Sequence, residues 1–363
     1  MNLKFKPSDR PDAFGNHFIV GLSGTTLDDA DKRVLATVKP VGLLLLKRNF
    51  DHTSPYPTWL SKLERLLDDA RNYAEREDLF VTLDHEGGRV HRTPPPLTIF
   101  PEPARYGHRA ADVATAMAIE LRSIGVNVSW SPLADVHSNP ANPIIGTRAF
   151  SGEPEDVARK AVTFARALMQ HGVLGCAKHF PGHGDTSTDS HHELPTVDLP
   201  LEVIRRRELP PFQALIDIDI PFVMTAHILF PQIDPVLPAT VSPRILGGLL
   251  RDQMGFDNIV MGDDLDMRAV SHLFESTDAV AQAINAGCDM LCVARFPDGT
   301  SERPIDLAKN MAACLTKRLI TEDRLFESFT RINRIASTRL QRSVVTQLSD
   351  EVFTRHAALC QEL

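Results

Sequence analysis

Short apolar runs recur along the whole chain, and a longer stretch with helical spacing follows each of them. Most runs are continuously apolar rather than alternating, which is typical of parallel strands buried on both faces. Eight successive strand–helix units favour a closed (β/α)8 TIM barrel, with a doubly wound open sheet as the alternative. The predicted strands are residues 17–24, 42–48, 79–84, 126–135, 175–179, 221–227, 258–263 and 290–295.

Residues typical of helix ends predict where several helices begin and end. Ser242 followed by Pro243 is typical of a helix start, and Gly255 suits the matching C-terminal end. After the eighth unit we expect one or two further helices, around residues 308–340 and 349–361, packed outside the barrel. Because no linker or low-complexity stretch divides the chain, we interpret residues 1–363 as one domain.

Composition narrows the class of protein. A length of 363 residues and a hydrophobic content of 43% suit one barrel with a large core. The net charge of −8 argues against nucleic-acid or anionic membrane partners, and no apolar stretch predicts a secretory signal or a membrane span. Five cysteines without a CxxC motif indicate reduced thiols, so we expect a cytoplasmic protein. The oligomeric state stays open, with a monomer expected.

Ionisable side chains cluster where the predicted strands end, which is where barrel enzymes carry their active sites. For any one of the aspartates a helix N-cap is an equally good explanation, and His227 alone suits a hydrogen-bonded core histidine. Lys178 follows apolar Cys176 and Ala177, so its buried ammonium should meet an anion or a polyhydroxyl ligand. The residues at the five exits are Asp84 to Arg89, Asp135 to Pro140, Lys178 to Asp185, Thr225 to His227, and Gly262 to Asp264.

The stretch 181–195 is rich in Gly, Ser, Thr and His, which indicates a polar loop above the site. Asp189 and His191 are two residues apart, so the carboxylate can orient the imidazole as a general acid/base. A surface loop with incidental histidines is one alternative. A metal site is the other, but no HxH or HExxH motif fixes its ligands, and we predict no metal. Its candidate ligands are His179, His183, Asp185, Asp189 and His191.

Residues 178–192, KHFPGHGDTSTDSHH, resemble the signature loop of glycoside hydrolase family 3 β-N-acetylhexosaminidases, bacterial enzymes that recycle cell-wall sugars. The resemblance spans nearly the whole chain. This loop distinguishes them from the β-glucosidase branch, whose acid/base lies in a second domain. Further segments match in the same order: DHEGGRVHR at 84–92, NPIIGTRAF at 142–150, PATVSPRILGGLLRDQMGF at 238–256, MGDDLDM at 261–267 and NAGCDMLCV at 285–293.

The resemblance implies roles for individual residues. It implies that Asp263 is the nucleophile, His191 the acid/base and Asp189 its partner. It also implies a (β/α)8 barrel that needs no cofactor. Two departures are Gly262, where the family usually has Ser or Thr, and the added charge of Asp266. The residues implied to bind the sugar in the −1 subsite are Asp84, Arg92, Arg148, Lys178 and His179.

The expected activity is retaining, exo-acting hydrolysis of terminal β-linked N-acetylglucosamine. The chain has only two tryptophans, so we expect short glycans or muropeptide fragments as substrates rather than a stacked polysaccharide. A glycoside phosphorylase and a non-catalytic sugar-binding protein are the alternatives.

Overall fold

The structure is a computed structural model that describes residues 10–188, 194–295 and 299–363. All eight predicted strands are present and every pairing among them is parallel. The strands are β1 Phe18–Gly21, β2 Gly42–Leu45, β3 Phe80–Leu83, β4 Val128–Ser129, β5 Cys176–Phe180, β6 Phe222–Thr225, β7 Ile259–Asp264 and β8 Met290–Val293.

The strand order is β4-β3-β2-β1-β8-β7-β6-β5, and two isolated parallel bridges, Val128 to Leu174 and Leu133 to Lys178, bring β4 against β5. The sheet therefore forms a nearly closed barrel, which confirms the predicted (β/α)8 fold over the doubly wound alternative. Strand β4 is much shorter than the predicted 126–135, since Pro132 in this stretch has no N–H to offer a ladder.

Helices surround the barrel in chain order between the strands. The α-helices are α1 Asp29–Val38, α2 Tyr56–Ala74, α3 Ala110–Ser123, α4 Pro154–Gln170, α5 Leu201–Arg207, α6 Leu209–Asp217, α7 Arg268–Ser271, α8 Ala279–Ala286, α9 Arg303–Thr316, α10 Glu322–Thr338 and α11 Asp350–Gln361. Short 3-10 helices occur at Pro11–His17, Lys47–Asn49, Pro103–Arg105, Gly107–Arg109, Gly146–Arg148, Ala239–Val241 and Leu273–Glu275.

The helix predicted after Ser242 is present as Arg244–Gln253, and it is wound as a π-helix. The Ser242 hydroxyl accepts a hydrogen bond from the N–H of Ile245 at 3.2 Å, as expected of a cap. Gly247 and Gly248 lie in the middle of this helix, and glycine has a low preference for the regular α conformation.

The C-terminal region differs from the prediction of one helix over 308–340. It forms two helices, α9 and α10, separated at residues 317–321, where Arg318 has a left-handed φ of 58°. Helix α9 packs against α1 and α8, which places it in the ring around the barrel. Helix α11 packs on α3.

Helix α10 covers the N-terminal ends of the strands rather than packing on the outer wall. Its Ile332 and Ile335 join the apolar cluster inside the barrel, and its Arg334 donates to Asp257 and Asn258 just before β7. With this end covered, the C-terminal ends of the strands are left for a ligand site. Within the described ranges, no helix combines the length and the apolar character needed to cross a membrane.

Candidate active site

A cavity of about 310 Å³ opens at the C-terminal ends of the strands. Six of the eight predicted site residues line it, namely Asp84, Arg92, Arg148, Lys178, His179 and Asp263. The other two, Asp189 and His191, lie outside the residues that the structure describes. The remaining lining residues are Glu86, Arg89, Val90, Ile144, His183, Met224 and Met267.

Buried charges of both signs form the polar wall of this cavity. Lys178, the middle residue of β5, is 1% exposed, and its Nζ lies 2.7 Å from Asp84 Oδ1 and 2.6 Å from Glu86 Oε1. Glu86 accepts two further hydrogen bonds from Arg148, 2.8 Å from Nε and 2.9 Å from Nη2. The ammonium predicted to meet an anion is thus paired with two carboxylates.

These contacts fix the charge states. Burial on its own would lower the pKa of Lys178, but Asp84 and Glu86 raise it above the usual value. Burial would likewise raise the pKa of Glu86, but Arg148 and Lys178 hold it well below the usual range. The cavity therefore presents fixed cationic donors and anionic acceptors, which can form charge-assisted hydrogen bonds with sugar hydroxyls.

Asp135, just beyond β4, organises the imidazole beside this wall. It is fully buried and accepts from His179 Nδ1 at 2.7 Å, from the His179 N–H at 3.1 Å and from the His183 N–H at 2.7 Å. Because Nδ1 of His179 is bound to a carboxylate, Nε2 is the ring nitrogen left for a ligand. Burial lowers the pKa of His183 to about 4, so this second ring is neutral at physiological pH.

Asp263 reaches the cavity from the end of β7. Its Oδ1 accepts a hydrogen bond from the N–H of Asp264 at 2.8 Å. Burial alone would raise its pKa, but the His227 and His179 rings, this N–H and Lys178 together lower it, so Asp263 is an ionised carboxylate. A Cβ at Gly262 would lie 3.5 Å or more from its neighbours, so close packing does not require glycine at this position.

Asp264 has a different environment, although it is the next residue. Its Oδ1 accepts from the N–H of Ala294 at 2.8 Å and from the N–H of Asp266 at 3.2 Å. Burial, with Asp266 nearby, raises its pKa to about 8, so it carries a proton at neutral pH. Asp264 does not line the cavity. Its neutral carboxyl links β7 to Ala294, the residue after β8, so its role is structural.

His227 is also occupied by structural contacts. Nδ1 lies 2.7 Å from Thr240 Oγ1 and Nε2 lies 3.0 Å from the carbonyl oxygen of Asp264. With both nitrogens paired, His227 is a hydrogen-bonded core histidine beside Asp263.

The sequence pattern predicts no role for Glu86 and leaves two roles open for Asp135, an N-cap or a functional residue. Both stood at predicted strand exits, which was the available signal. No helix starts at Asp135, and its oxygens face His179 and His183 instead. The partner of Glu86, Arg148, is 62 residues further along the chain, so only the fold reveals the pair.

Three candidates for a metal site fall within the described ranges, and each has another partner. His179 binds Asp135, His183 Nδ1 lies 2.9 Å from Thr186 Oγ1, and Asp185 Oδ2 lies 3.3 Å from Arg207 Nη2. Across residues 10–188, 194–295 and 299–363, no three His, Cys, Asp or Glu side chains are grouped so that they could hold a metal ion.

Comparison with known proteins gives a consistent family. Residues 20–335 match the family model described as "Glycosyl hydrolase family 3 N terminal domain". A protein named "Beta-hexosaminidase" from Idiomarina loihiensis is 35% identical over 284 residues, which cover 76% of this chain and 82% of the relative. "Beta-hexosaminidase A" from Pseudoalteromonas piscicida is 32% identical over 88% of this chain, which spans only 56% of that longer protein.

Solved structures agree with the sequence relatives. The glycoside hydrolase family 3 β-N-acetylglucosaminidase from Paenibacillus sp. str. FPU-7 has a TM-score of 0.84 and 31% identity, over 96% of this chain and 66% of that one. The β-N-acetylhexosaminidase from Beutenbergia cavernae has a TM-score of 0.81 and 25% identity, over 92% of this chain and all of the other. The chain therefore belongs to glycoside hydrolase family 3 and is a glycosidase.

Proposed function

We propose that this glycosidase is a retaining exo-β-N-acetylglucosaminidase that acts on short glycans or muropeptide fragments. The observation that carries the proposal is that an ionised Asp263 shares one cavity with the ion-pair network of Asp84, Glu86, Arg148 and Lys178. The names of the sequence relatives and of the structural neighbours support the sugar class.

In the first step, the carboxylate of Asp263 attacks the anomeric carbon, and the bond from this carbon to the leaving oxygen breaks. His191, oriented by Asp189, donates the proton that the leaving oxygen needs. In the second step His191 takes a proton from water, whose oxygen attacks the same carbon and releases Asp263. Asp84, Arg92, Arg148, Lys178 and His179 hold the sugar hydroxyls throughout.

The size and lining of the cavity support action at a chain end. About 310 Å³ is at the lower limit of the roughly 300–1,000 Å³ of small-molecule sites, which suits one sugar residue. Trp59 and Trp130 are both buried and neither lines the cavity, so these rings provide no stacking platform for a polysaccharide.

The cysteines of the chain support a cytoplasmic location. The five cysteines are free thiols and four of them are buried, which suits a cytoplasmic location.

The test compares p-nitrophenyl β-N-acetylglucosaminide with the matching β-glucoside. We expect strong preference for the N-acetylated sugar and a rate independent of phosphate. A better rate on the glucoside would contradict the assigned sugar. Release of a sugar 1-phosphate at a rate that depends on phosphate would identify a phosphorylase, and binding without any turnover would identify a sugar-binding protein.

A further inference from the structure

Two cations of the cavity, buried Lys178 and largely buried Arg148, converge on the carboxylate of Glu86. Lys178 Nζ lies 2.6 Å from Oε1, and the Nε and Nη2 atoms of Arg148 lie 2.8 Å and 2.9 Å from the two oxygens. Glu86 is 1% exposed, so bulk solvent screens these contacts little. Both oxygens of Glu86 are therefore engaged with the residues expected to bind the sugar.

The backbone of Glu86 is fixed as firmly as its side chain. Its N–H donates to the carbonyl of Val90 at 3.1 Å, and its carbonyl accepts from the hydroxyl of Tyr106 at 2.7 Å. The next residue, Gly87, has a φ of 99°, and a Cβ there would meet the Tyr106 oxygen at 2.2 Å. The carboxylate is thus preorganised before any ligand arrives.

The charges of this part of the cavity balance. Lys178 and Arg148 are the cations, and Asp84 and Glu86 are the anions of the same contact network. Without Glu86, Lys178 and Arg148 would lie close together at low dielectric with only Asp84 as a counter-charge. They would then attract a further anion. With Glu86 present, the Nε–Nη2 edge of Arg148, which could chelate an anion, is already filled.

The unfilled donor positions suit a neutral ligand instead. An ammonium has three N–H donors, and Asp84 and Glu86 take two of those of Lys178. The third can donate to a hydroxyl, while Asp84 can accept from one. A sugar hydroxyl both donates and accepts, so it fits this pair, whereas an anionic group offers acceptors only.

We propose that Glu86 is a positioning and specificity-determining residue, which holds Lys178 and Arg148 as donors to neutral sugar hydroxyls and cancels the charge that would attract anions. This inference rests on the proposed function, in which Lys178 and Arg148 contact the sugar. It assigns Glu86 no step of the chemistry, since Glu86 acts through the two cations.

The test is the variant Glu86→Gln, which keeps the shape and removes the charge. We expect KM for the N-acetylglucosaminide to rise about tenfold, with a smaller change in kcat. Competitive inhibition by inorganic sulfate should become about tenfold stronger than in the unmodified enzyme. The rise in Tm on adding sulfate should also be larger in the variant, and this readout requires no turnover.

Glu120→Gln is the matched control. Glu120 is also 1% exposed and also accepts three hydrogen bonds, from the Thr98 N–H at 2.8 Å, from Thr98 Oγ1 at 2.6 Å and from His356 Nδ1 at 2.7 Å. It does not line the cavity. This variant should keep the KM and the sulfate response of the unmodified enzyme even if it loses stability.

Unchanged KM and unchanged sulfate response in a folded Glu86→Gln variant would overturn the proposal. If that variant does not fold, Lys178→Gln decides, because it removes a cation and should weaken sulfate binding; stronger binding would contradict the charge balance. If the unmodified enzyme cleaves no N-acetylglucosaminide, the proposed function fails, while the sulfate-dependent Tm still tests the role of Glu86.

Discussion

The backbone N–H of Asp264 donates to Oδ1 of Asp263 over 2.8 Å, so the backbone of the second of two consecutive aspartates holds the carboxylate of the first at the end of β7. Their environments differ. Asp263 lines the cavity with a lowered pKa, whereas Asp264 is bound by the N–H groups of Ala294 and Asp266 and has a raised pKa. This division distinguishes the proposed nucleophile from a structural carboxyl in a Gly-Asp-Asp sequence.

We predict that Asp263→Asn lowers kcat by about a thousandfold or more, since loss of a covalent nucleophile removes about 4 kcal/mol of transition-state stabilisation. Asp264→Asn, the matched control, should keep most of the activity, because the native side chain is already protonated. Steady-state rates, with circular dichroism to check folding, measure both. An active Asp263→Asn beside an inactive Asp264→Asn would show that the nucleophile is Asp264.

A second prediction concerns the carboxylate behind His179. Asp135→Asn places an amide N–H opposite Nδ1 of His179, which reverses the protonation pattern of the ring and presents a donor to the cavity instead of an acceptor. We expect kcat/KM to fall by about tenfold to a hundredfold. Asp185→Asn, in the segment after β5 and paired with Arg207 outside the cavity, should have little effect. Equal losses in both variants would point to a general loss of structure rather than to the state of the His179 ring.

The sequence could predict the barrel and most of the cavity for one physical reason. Parallel strands end at the same rim, so residues such as Asp84, Lys178 and Asp263 had to converge wherever the strands were placed correctly. The sequence could not predict which carboxylate each cation would pair with. The bidentate pairing of Glu86 with Arg148 depends on the path of the loop after β4, which no local pattern encodes.

The C-terminal region shows a different limit. Residues 308–340 carry helical spacing throughout, but a left-handed turn at Arg318 divides them, and α10 then covers the N-terminal ends of the strands. The apolar face of α10 could be predicted from its spacing. Its position depends on the open end of the barrel, a surface that exists only after the strands have closed.

The third prediction is a dependence of stability on pH. Burial raises the pKa of Asp264 from 3.8 to about 8 and that of Glu208 from 4.5 to about 7. Each group then binds its proton more tightly in the folded state than in the unfolded state. The stability that each contributes is present at low pH and is lost as pH rises, between about 4 and 8 for Asp264 and between about 4.5 and 7 for Glu208.

The variants Asp264→Asn and Glu208→Gln should each reduce the loss of stability that occurs as pH rises. The free energy of unfolding, measured with urea at pH values on either side of each window, should fall less with rising pH in the variants than in the unmodified protein. Glu120→Gln is again a suitable control, since Glu120 is equally buried but its carboxylate accepts hydrogen bonds from Thr98 and His356. A variant slope as steep as that of the unmodified protein would show that the two carboxyls are already ionised.

A fourth prediction tests the acid/base, which lies outside the described residues. His191→Ala should lose much less activity on dinitrophenyl glycosides than on alkyl glycosides, because a good leaving group departs with little protonation. His183→Ala is the comparison, since the His183 ring is buried and neutral and binds Thr186. Equal losses of the His191 variant on good and poor leaving groups would assign it a binding role.

The last prediction concerns the intermediate. Some hexosaminidases use the acetamido group of the substrate as the nucleophile, and such sites hold its nitrogen with a carboxylate. In this chain, Asp263 is fixed on a strand of the barrel, with its Oδ1 held by one N–H and its charge supported by Lys178 and His179. A rigid, ionised carboxylate suits direct attack on the anomeric carbon, with a separate group on a loop for proton transfer.

We therefore expect a covalent glycosyl-enzyme at Asp263 and overall retention of the β configuration. A 2-fluoro or 5-fluoro sugar should slow the second step and trap the adduct, because fluorine destabilises the positive charge that develops on the ring. Peptide mapping should place the label within residues 261–267, and Asp263→Asn should not be labelled. Strong inhibition by a thiazoline mimic without any labelling would mean that the acetamido group attacks, and that Asp263 instead orients its nitrogen.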